Sequence, residues 1–172
     1  IVPVMIVTLC RYEHLVRCID SLRRNKLAVE TELYIGLDYP LKQEHWEGYN
    51  KICAYLENGV DGFKQVRVIK HAENLGATEN YNVVKGEIYK YDAYIYMEDD
   101  NVVSPNYLEY MNKSMDRYRN DPQILAVSGY MYPIDISGTE GNIVLLSTYF
   151  SCFGFGVYRR IDELFDQNIT LK

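Results

Sequence analysis

Short apolar runs alternate with amphipathic helical patterns along most of the chain, and this alternation limits the possible folds more than any other feature. Val2 to Leu9 is an almost continuous apolar run, which is typical of a strand covered on both faces. A helical pattern follows from Glu13 to Arg24, with its apolar residues on one face. Strands that alternate with helices form βαβ units around a mainly parallel sheet. The sequence therefore predicts an α/β fold with helices on both faces of a central sheet.

The same patterns predict the remaining elements. Further strands are predicted at Glu32–Asp38, Lys64–His71, Ala93–Met97, Ile124–Tyr130 and Ile143–Tyr149, and further helices at Glu44–Glu57, Thr78–Lys90 and Arg159–Asp166. Ser104 and Pro105 predict the start of one more helix, because a serine hydroxyl can cap a helix and a proline suits its first position. No internal repeat, low-complexity tract or linker divides the sequence. We expect residues 1–172 to form one domain.

Composition argues against several classes of function. The net charge of −6 and the pI of about 5.1 argue against nucleic-acid binding, which needs a basic surface. No apolar segment is long enough to cross a bilayer, and the first residues lack the features of a signal peptide. The cysteines are scattered without metal-ligand spacing, which is typical of reduced thiols. We expect a cytoplasmic protein without a transmembrane segment, and peripheral attachment to a membrane is left open.

Polar residues follow each of the first four predicted strands. They are Thr8 and Arg11, then Asp38, then Asn74 and Gly76, and finally Glu98, Asp99 and Asp100. Ligands of open α/β sheets bind beyond the carboxyl ends of the strands. These residues therefore predict a ligand site at one edge of the sheet.

The acidic triplet Glu98-Asp99-Asp100 is the strongest of these signals. Adjacent carboxylates about 5 Å apart repel each other by roughly 3 kcal/mol at an effective dielectric constant near 20. A divalent cation such as Mg²⁺ or Mn²⁺ would offset this repulsion, because both ions prefer oxygen ligands. The alternative is a solvated acidic turn. The position of the triplet directly after a buried strand favours the metal site.

Asp38 and the segment Asn74-Leu75-Gly76 leave two interpretations open. A carboxylate at the end of the second strand can accept hydrogen bonds from a base or a ribose, but aspartate also suits a turn before Tyr39-Pro40. The asparagine and glycine can likewise serve a turn, with the glycine supplying a positive φ angle.

Taken together, four segments resemble glycosyltransferases of the glycosyltransferase-A fold. They are VMIVTLCRYEHL from Val4 to Leu15, GLD ending at Asp38, NLG from Asn74 with Asn80 after it, and YMEDD ending at Asp100. The EDD form of the acidic motif, followed by VSPNYLEYMN, is similar to the N-acetylglucosaminyltransferase I family, and the pattern also resembles bacterial family 2 glycosyltransferases. The resemblance implies one Rossmann-like domain and an inverting transfer of sugar from a uridine diphosphate sugar to a glycan or a lipid-linked acceptor, in the assembly of a polysaccharide or a glycolipid.

The resemblance also implies roles for individual residues. Asp100 would be the direct ligand of Mn²⁺ or Mg²⁺, while Glu98 and Asp99 would hold the ribose or a water of the metal shell. Thr8, Arg11 and Asp38 would line the nucleoside pocket, with Asn74, Gly76 and Asn80 nearby. The aromatic-glycine segment Phe153, Gly154, Phe155 and Gly156 would border the acceptor site.

The sequence departs from the family pattern in two places. Cys10 stands where relatives commonly have asparagine. The catalytic base of the family is a carboxylate that follows the aromatic-glycine segment, but Asp162, Glu163 and Asp166 fit the solvent face of a helix better. The resemblance therefore implies a base beyond Lys172 and a chain that is incomplete at its C-terminus.

Two other functions remain as alternatives. A sugar-nucleotide nucleotidyltransferase shares the α/β layout, but it typically has a glycine-rich loop after the first strand, and the turn Thr8–Tyr12 contains no glycine. A non-catalytic module that binds a nucleotide sugar would need no base. The phosphate-binding loop GxxxxGK[ST] does not occur in the sequence, which argues against phosphoryl transfer of that type.

Overall fold

The computed structural model describes residues 1–135, 138, 144–162 and 164, with only the backbone described at Asp162. The strands are β1 (Val4–Thr8), β2 (Glu32–Leu37), β3 (Gln65–Lys70), β4 (Ala93–Glu98), β5 (Ala126–Ser128) and β6 (Phe155–Tyr158). The helices are α1 (Tyr12–Arg23), α2 (Trp46–Glu57), α3 (Gly76–Ile88), α4 (Tyr107–Arg117) and α5 (Arg159–Asp162). Short 3₁₀ helices span Ala28–Glu30 and Gln43–His45.

The six strands form one sheet in the order β3-β2-β1-β4-β6-β5. Strands β3, β2, β1 and β4 run parallel to one another, and β6 lies antiparallel between β4 and β5. In the register of the parallel strands, Thr8 lies opposite Leu37 and Val7 lies opposite Glu98. The predicted α/β fold with a mainly parallel sheet is confirmed.

Helices cover both faces of the sheet. The ring of Tyr96 in β4 contacts the ring of Tyr81 in α3, so α3 covers the face to which Tyr96 points. The neighbouring Ile95 points to the other face and pairs with Gly156, where Met115 of α4 packs. Helix α1 lies on the same side as α4, because Asn25, which follows α1, forms hydrogen bonds with Ser104 and Leu108 at the start of α4. Helix α1 also packs against α2.

The start of α4 differs from the prediction. The helix begins at Tyr107, two residues after Pro105, and the Ser104 hydroxyl donates to the side chain of Asn106 at 2.7 Å. The cap comes from a distant residue: the backbone N–H of Leu108 donates to Oδ1 of Asn25 at 2.9 Å. Because Asn25 follows α1, this bond also ties α4 to α1.

One strand predicted in the C-terminal part is wrong, and one strand that forms there was not predicted. The strand predicted at Ile143–Tyr149 is absent from its described residues, 144–149, where Leu146 and Tyr149 are about four-fifths exposed. No strand was predicted at the position of β6, which lies between β4 and β5 in the sheet. The helix predicted at Arg159–Asp166 is confirmed as far as Asp162, and Glu163 and Asp166 lie outside the described residues.

Among the described helices, none has both the length and the apolar character that a membrane crossing requires.

Candidate functional site

The ends of β1, β2 and β4 lie side by side at one edge of the sheet. The backbone N–H of Asp38 donates to the carbonyl oxygen of Thr8 at 3.0 Å, which continues the pairing of β2 with β1 beyond the last strand residues. The register of β1 with β4 brings Glu98 next to the same edge. Polar residues from three of the four strands named in the sequence therefore lie at this edge.

The acidic triplet forms a tight turn after β4. The side-chain oxygen of Asn101 accepts a hydrogen bond from the backbone N–H of Glu98 at 3.2 Å, and the backbone N–H of Asn101 donates to the Glu98 carbonyl at 3.2 Å. The turn buries Asp99, which is 2% exposed, and leaves the carboxylate of Asp100 35% exposed. Neighbouring carboxylates therefore have different environments.

Asp99 is a buried carboxylate whose two oxygens both have partners. The Thr8 hydroxyl donates to Asp99 Oδ2 at 2.6 Å, and Arg11 Nη2 donates to Asp99 Oδ1. A buried carboxylate needs such partners, because an unpaired buried charge is strongly destabilising. Asp99 is therefore fixed to the turn between β1 and α1.

Arg11 also contacts Asp100, with Nη1 donating to Asp100 Oδ2 at 2.9 Å. Partial burial opposes the charge on Arg11, but the hydrogen bonds and negative charges of Asp99 and Asp100 outweigh it and raise the pKa of Arg11. The guanidinium thus supplies one positive charge between the two carboxylates. Arg11 therefore offsets part of the repulsion between the carboxylates, which was the reason for predicting a metal ion from the sequence.

Asp100 has the properties expected of a ligand for a divalent ion that a substrate shares. Its Oδ1 lies 3.4 Å from the side-chain amide nitrogen of Asn101, so this oxygen accepts only a weak hydrogen bond. No cluster of three or more His, Cys, Asp or Glu side chains arranged to hold a metal occurs within the described part of the chain. Mg²⁺ commonly binds through one or two carboxylates together with substrate phosphates and waters. The Asp100 carboxylate fits a metal site that is completed by substrate phosphates and waters. It does not fit a site in which the protein alone supplies all the ligands.

Glu98 is half-buried at the end of β4, on the same face of the sheet as Tyr96. Burial raises the pKa of Tyr96, and the negative charge of Glu98 raises it further. The Tyr96 hydroxyl therefore stays protonated at neutral pH and can serve as a hydrogen-bond donor, but not as a base.

Asp38 holds the loop that begins α3. Its Oδ1 accepts from the backbone N–H groups of Tyr39 at 2.9 Å and Leu75 at 2.8 Å. Its Oδ2 accepts from the backbone N–H of Gly76 at 2.9 Å and from the side-chain amide of Asn74 at 3.2 Å. Four donors thus fill the four acceptor positions of the carboxylate. The turn interpretation explains this geometry, and the role of Asp38 towards a nucleoside stays a prediction.

Asn80 lies one turn further along α3, 2% exposed, and contacts the sheet. Its amide donates to the carbonyl of Gly36 at 3.1 Å, and its Oδ1 lies 2.9 Å from Nε2 of His71, which follows β3. A side chain at Gly36 would collide with this arrangement, because an added Cβ would lie 2.3 Å from Asn80 Oδ1. His71 was not singled out in the sequence, since a lone histidine after a strand has no distinctive pattern.

The aromatic-glycine segment is divided between surface and interior. Phe153 is 53% exposed and its ring contacts the ring of Tyr130 at 5.4 Å between centroids. Phe155 is half-buried against Tyr96, also at 5.4 Å. Gly154 has a φ of +70° and lies at the turn into β6. Only the exposed Phe153 offers a ring face to a ligand from this segment.

The glycine that ends the segment has a packing role. Gly156 is buried, and a Cβ added there would lie 2.3 Å from the sulfur of Met115. Space for α4 therefore explains this glycine, while the predicted role of the segment at an acceptor site stays a prediction.

Gly48 allows helix α2 to pack closely against the turn that carries Arg11, and the sequence did not indicate this role. This glycine lies in the first turn of α2, and a Cβ added to it would be 1.8 Å from the carbonyl oxygen of Cys10. Helix α2 thus packs directly onto the backbone between Thr8 and Arg11. A glycine in a helical pattern was the available signal, but the partner is 38 positions away and cannot be read from spacing.

Solved structures with a similar fold include a mannosyltransferase and a protein crystallised with UDP-GlcNAc. The mannosyltransferase PcManGT of Pyrobaculum calidifontis, solved with GDP-Man and Mn²⁺, matches with a TM-score of 0.64 over 95% of this chain and 46% of its own chain, at 13% sequence identity. The 1-349 fragment of S. aureus TarS matches with a TM-score of 0.62 over 94% of this chain and 48% of the fragment, at 14% identity. The same fragment solved with UDP-GlcNAc gives a TM-score of 0.58 over 91% of this chain and 45% of the fragment, at 14% identity.

These matches show that the chain has the glycosyltransferase-A fold. This chain spans slightly less than half the length of the matched chains. No protein-family model matches the sequence, and no curated protein matches it. Because one fold can carry many activities, the fold alone does not establish the reaction.

Proposed function

We propose that this chain is the sugar-donor-binding domain of a metal-dependent glycosyltransferase that uses a uridine diphosphate sugar. The observation that carries the proposal is the cluster of Thr8, Arg11, Asp99 and Asp100 at the carboxyl edge of the sheet. One carboxylate of the cluster is buried and fixed, while the next is exposed and has a weakly engaged oxygen. This pair suits a diphosphate that arrives with a divalent ion.

Each member of the cluster has a distinct role in the proposed site. Asp100 would hold the divalent ion, which would supply Lewis-acid stabilisation of the charge on a leaving diphosphate. Asp99 positions Arg11 and the end of β1, since both of its oxygens are already engaged. Glu98 would contact the ribose or a water of the metal shell.

The nucleoside part of the donor lies across the ends of β1 and β2 in this proposal. Thr8 and Asp38 adjoin each other there, joined through the backbone hydrogen bond between them. Because the Asp38 carboxylate has four partners already, it shapes the pocket mainly by holding the loop from Asn74 to Gly76. Asn80 ties α3 to β2 nearby, by donating to the Gly36 carbonyl.

The proposed reaction is an inverting transfer. An acceptor hydroxyl of a glycan or a lipid-linked acceptor attacks the anomeric carbon as the diphosphate leaves, through a state with oxocarbenium character like that of glycoside hydrolysis. A carboxylate base removes the hydroxyl proton. No residue of residues 1–172 is assigned to that role, and the resemblance to the family implies a base beyond Lys172.

The acceptor is proposed to lie against Phe153. Its ring is 53% exposed, whereas Phe155 packs against Tyr96 and Phe150 and contributes to the fold. In a protein with measurable transfer, Phe153→Ala is expected to raise KM for the acceptor and to leave the affinity for the nucleotide unchanged. An unchanged acceptor KM would show that the segment has only a packing role.

The fold comparisons support the choice of ligand. The matched enzymes were solved with GDP-Man and Mn²⁺, with UDP-GlcNAc and with UDP. A nucleoside diphosphate with a divalent ion is therefore the first ligand to test here. The absence of glycine from the turn Thr8–Tyr12 disfavours a nucleotidyltransferase.

A panel of nucleotides tests the proposal. We expect isothermal titration calorimetry with Mn²⁺ to show binding of UDP, weaker binding of GDP, and no preference for UTP over UDP. Stronger binding of a triphosphate than of the corresponding diphosphate would indicate a nucleotidyltransferase instead. Release of UDP from a UDP-sugar in the same buffer would distinguish an enzyme from a non-catalytic binding module.

A further inference from the structure

Arg11 bridges two adjacent carboxylates with the two ends of its guanidinium. Nη2 donates to the buried Asp99, and Nη1 donates to the exposed Asp100 at 2.9 Å. The fork of an arginine suits such two-sided contacts, which a lysine ammonium makes less well. The Arg11 side chain is itself 48% exposed, so its contact with Asp100 lies at the open side of the site.

The two contacts differ in how readily they can be broken. The partner on the inner side, Asp99, is 2% exposed and also accepts from Thr8, so loss of its arginine contact would leave a buried charge with one partner. The partner on the outer side, Asp100, is 35% exposed and can exchange the arginine for water or another cation. Arg11 can therefore release Asp100 while it keeps Asp99.

A bare divalent ion meets a disadvantage at this site. Oδ2 of Asp100 accepts from Arg11, and although Oδ1 is only weakly engaged, the guanidinium places a positive charge beside the same carboxylate. Asp99 offers no alternative, because both of its oxygens have partners. A diphosphate removes the disadvantage, since its negative oxygens attract both the ion and the guanidinium.

We propose that Arg11 acts as an internal counter-cation that weakens the binding of a divalent ion at Asp100 until a nucleoside diphosphate arrives, so that metal and nucleotide bind together. This inference rests on the proposed function of the site. It adds a positioning residue that makes metal binding depend on the nucleotide.

Titration of Mn²⁺ without nucleotide, followed by electron paramagnetic resonance of the free ion, tests the inference on the intact chain. Wild type is expected to bind Mn²⁺ weakly, and Arg11→Gln is expected to bind it about tenfold more tightly, because a nearby unit charge has been removed. Arg17→Gln removes the same charge from the exposed side of α1 and should behave like wild type. The double variant Arg11→Gln/Asp100→Asn should lose the gain.

A second variant keeps the test decisive if Arg11→Gln folds poorly. Arg11→Lys retains a charge for the buried Asp99 but cannot span both carboxylates, and we expect it to bind Mn²⁺ about threefold more tightly than wild type. The inference is overturned if neither Arg11 variant gains affinity over Arg17→Gln, or if the gain persists without Asp100. A failure of the proposed function has a different signature, since UDP would then not bind to wild type in the presence of Mn²⁺.

Discussion

The carboxylate of Asp38 accepts a hydrogen bond from the backbone N–H of Gly76 at 2.9 Å, and this contact joins the end of β2 to the start of α3. The backbone N–H groups at the start of a helix have no partner within the helix, and a carboxylate there satisfies them and interacts favourably with the helix dipole. Gly76 has a φ of +78°, a conformation that glycine adopts without strain. The junction between β2 and α3 therefore requires an acceptor at position 38 and a glycine at position 76.

Removal of the Asp38 carboxylate should therefore destabilise the protein. We expect Asp38→Ala to lower the free energy of unfolding by about 3 kcal/mol, because several buried N–H groups lose a charged acceptor. Asp61→Ala is the control, since the Asp61 side chain is 90% exposed and its ion pair with Arg23 is at the surface. Urea denaturation of both variants measures the difference. A change below about 1 kcal/mol for Asp38→Ala would contradict the structural role.

Two helical glycines should respond in opposite ways to the same substitution. A Cβ at Gly48 would lie 1.8 Å from the Cys10 carbonyl oxygen, whereas nothing lies within 4 Å of a Cβ at Gly86. Gly86→Ala should raise stability by about 0.5–1 kcal/mol through helix propensity. Gly48→Ala should lower stability and weaken nucleotide binding, because the backbone that carries Arg11 must move. Equal stabilisation by both substitutions would show that α2 does not press on this turn.

Glu32 should give a measurable pH dependence of stability. Hydrogen bonds from Tyr91 at 2.7 Å and Lys64 at 3.0 Å lower the pKa of Glu32 from 4.5 to about 2. Because the pKa is lower in the folded state, the stabilisation is complete above about pH 4.5 and is lost as the pH falls towards 2.

The variant Glu32→Gln isolates this contribution. At pH 7 it should be less stable than wild type by about 2 kcal/mol, and the difference should shrink between about pH 4.5 and pH 2.5. Thermal or urea denaturation across this range provides the measurement. A difference that is constant with pH would mean that the charge of Glu32 is not what stabilises the fold.

Tyr107 has a buried hydroxyl that is 2.9 Å from the position of a Cβ on Gly154. Among the described residues, no group forms a hydrogen bond with this hydroxyl. A buried polar group without a partner costs stability, so Tyr107→Phe should raise the free energy of unfolding by up to about 1 kcal/mol. A loss of stability in this variant would reveal an ordered water or another partner at the hydroxyl.

The N-terminal two-thirds of the fold could be predicted from the sequence because local signals agree there. Residues 4–8 and 93–98 form apolar strands, and the helices between the strands have one apolar face. The same apolar pattern predicts that the acidic triplet directly follows β4. The bridging contacts of Arg11 could not be predicted, because they depend on the conformation of the turn that follows β1.

The C-terminal part could not be predicted because its signals are not local. The apolar run from 144 to 149 has the composition of a strand, yet no neighbouring strand pairs with it among the described residues. Strand β6 contains Gly156, which disfavours a strand by propensity and is explained only by the packing of Met115. The cap of α4 comes from Asn25, 83 positions away, and no sequence pattern joins the two.

Calorimetric titration of the chain with UDP, with and without Mn²⁺, tests whether the acidic turn after β4 binds a sugar donor together with a metal ion. We expect binding only when Mn²⁺ is present, and loss of that binding in Asp100→Ala without loss of the fold. Asp116→Ala, at an exposed position of α4, is the matched control and should bind as wild type does. Equal binding of UDP without metal, or unchanged metal-dependent binding in Asp100→Ala, would contradict the assignment of the sugar-donor site.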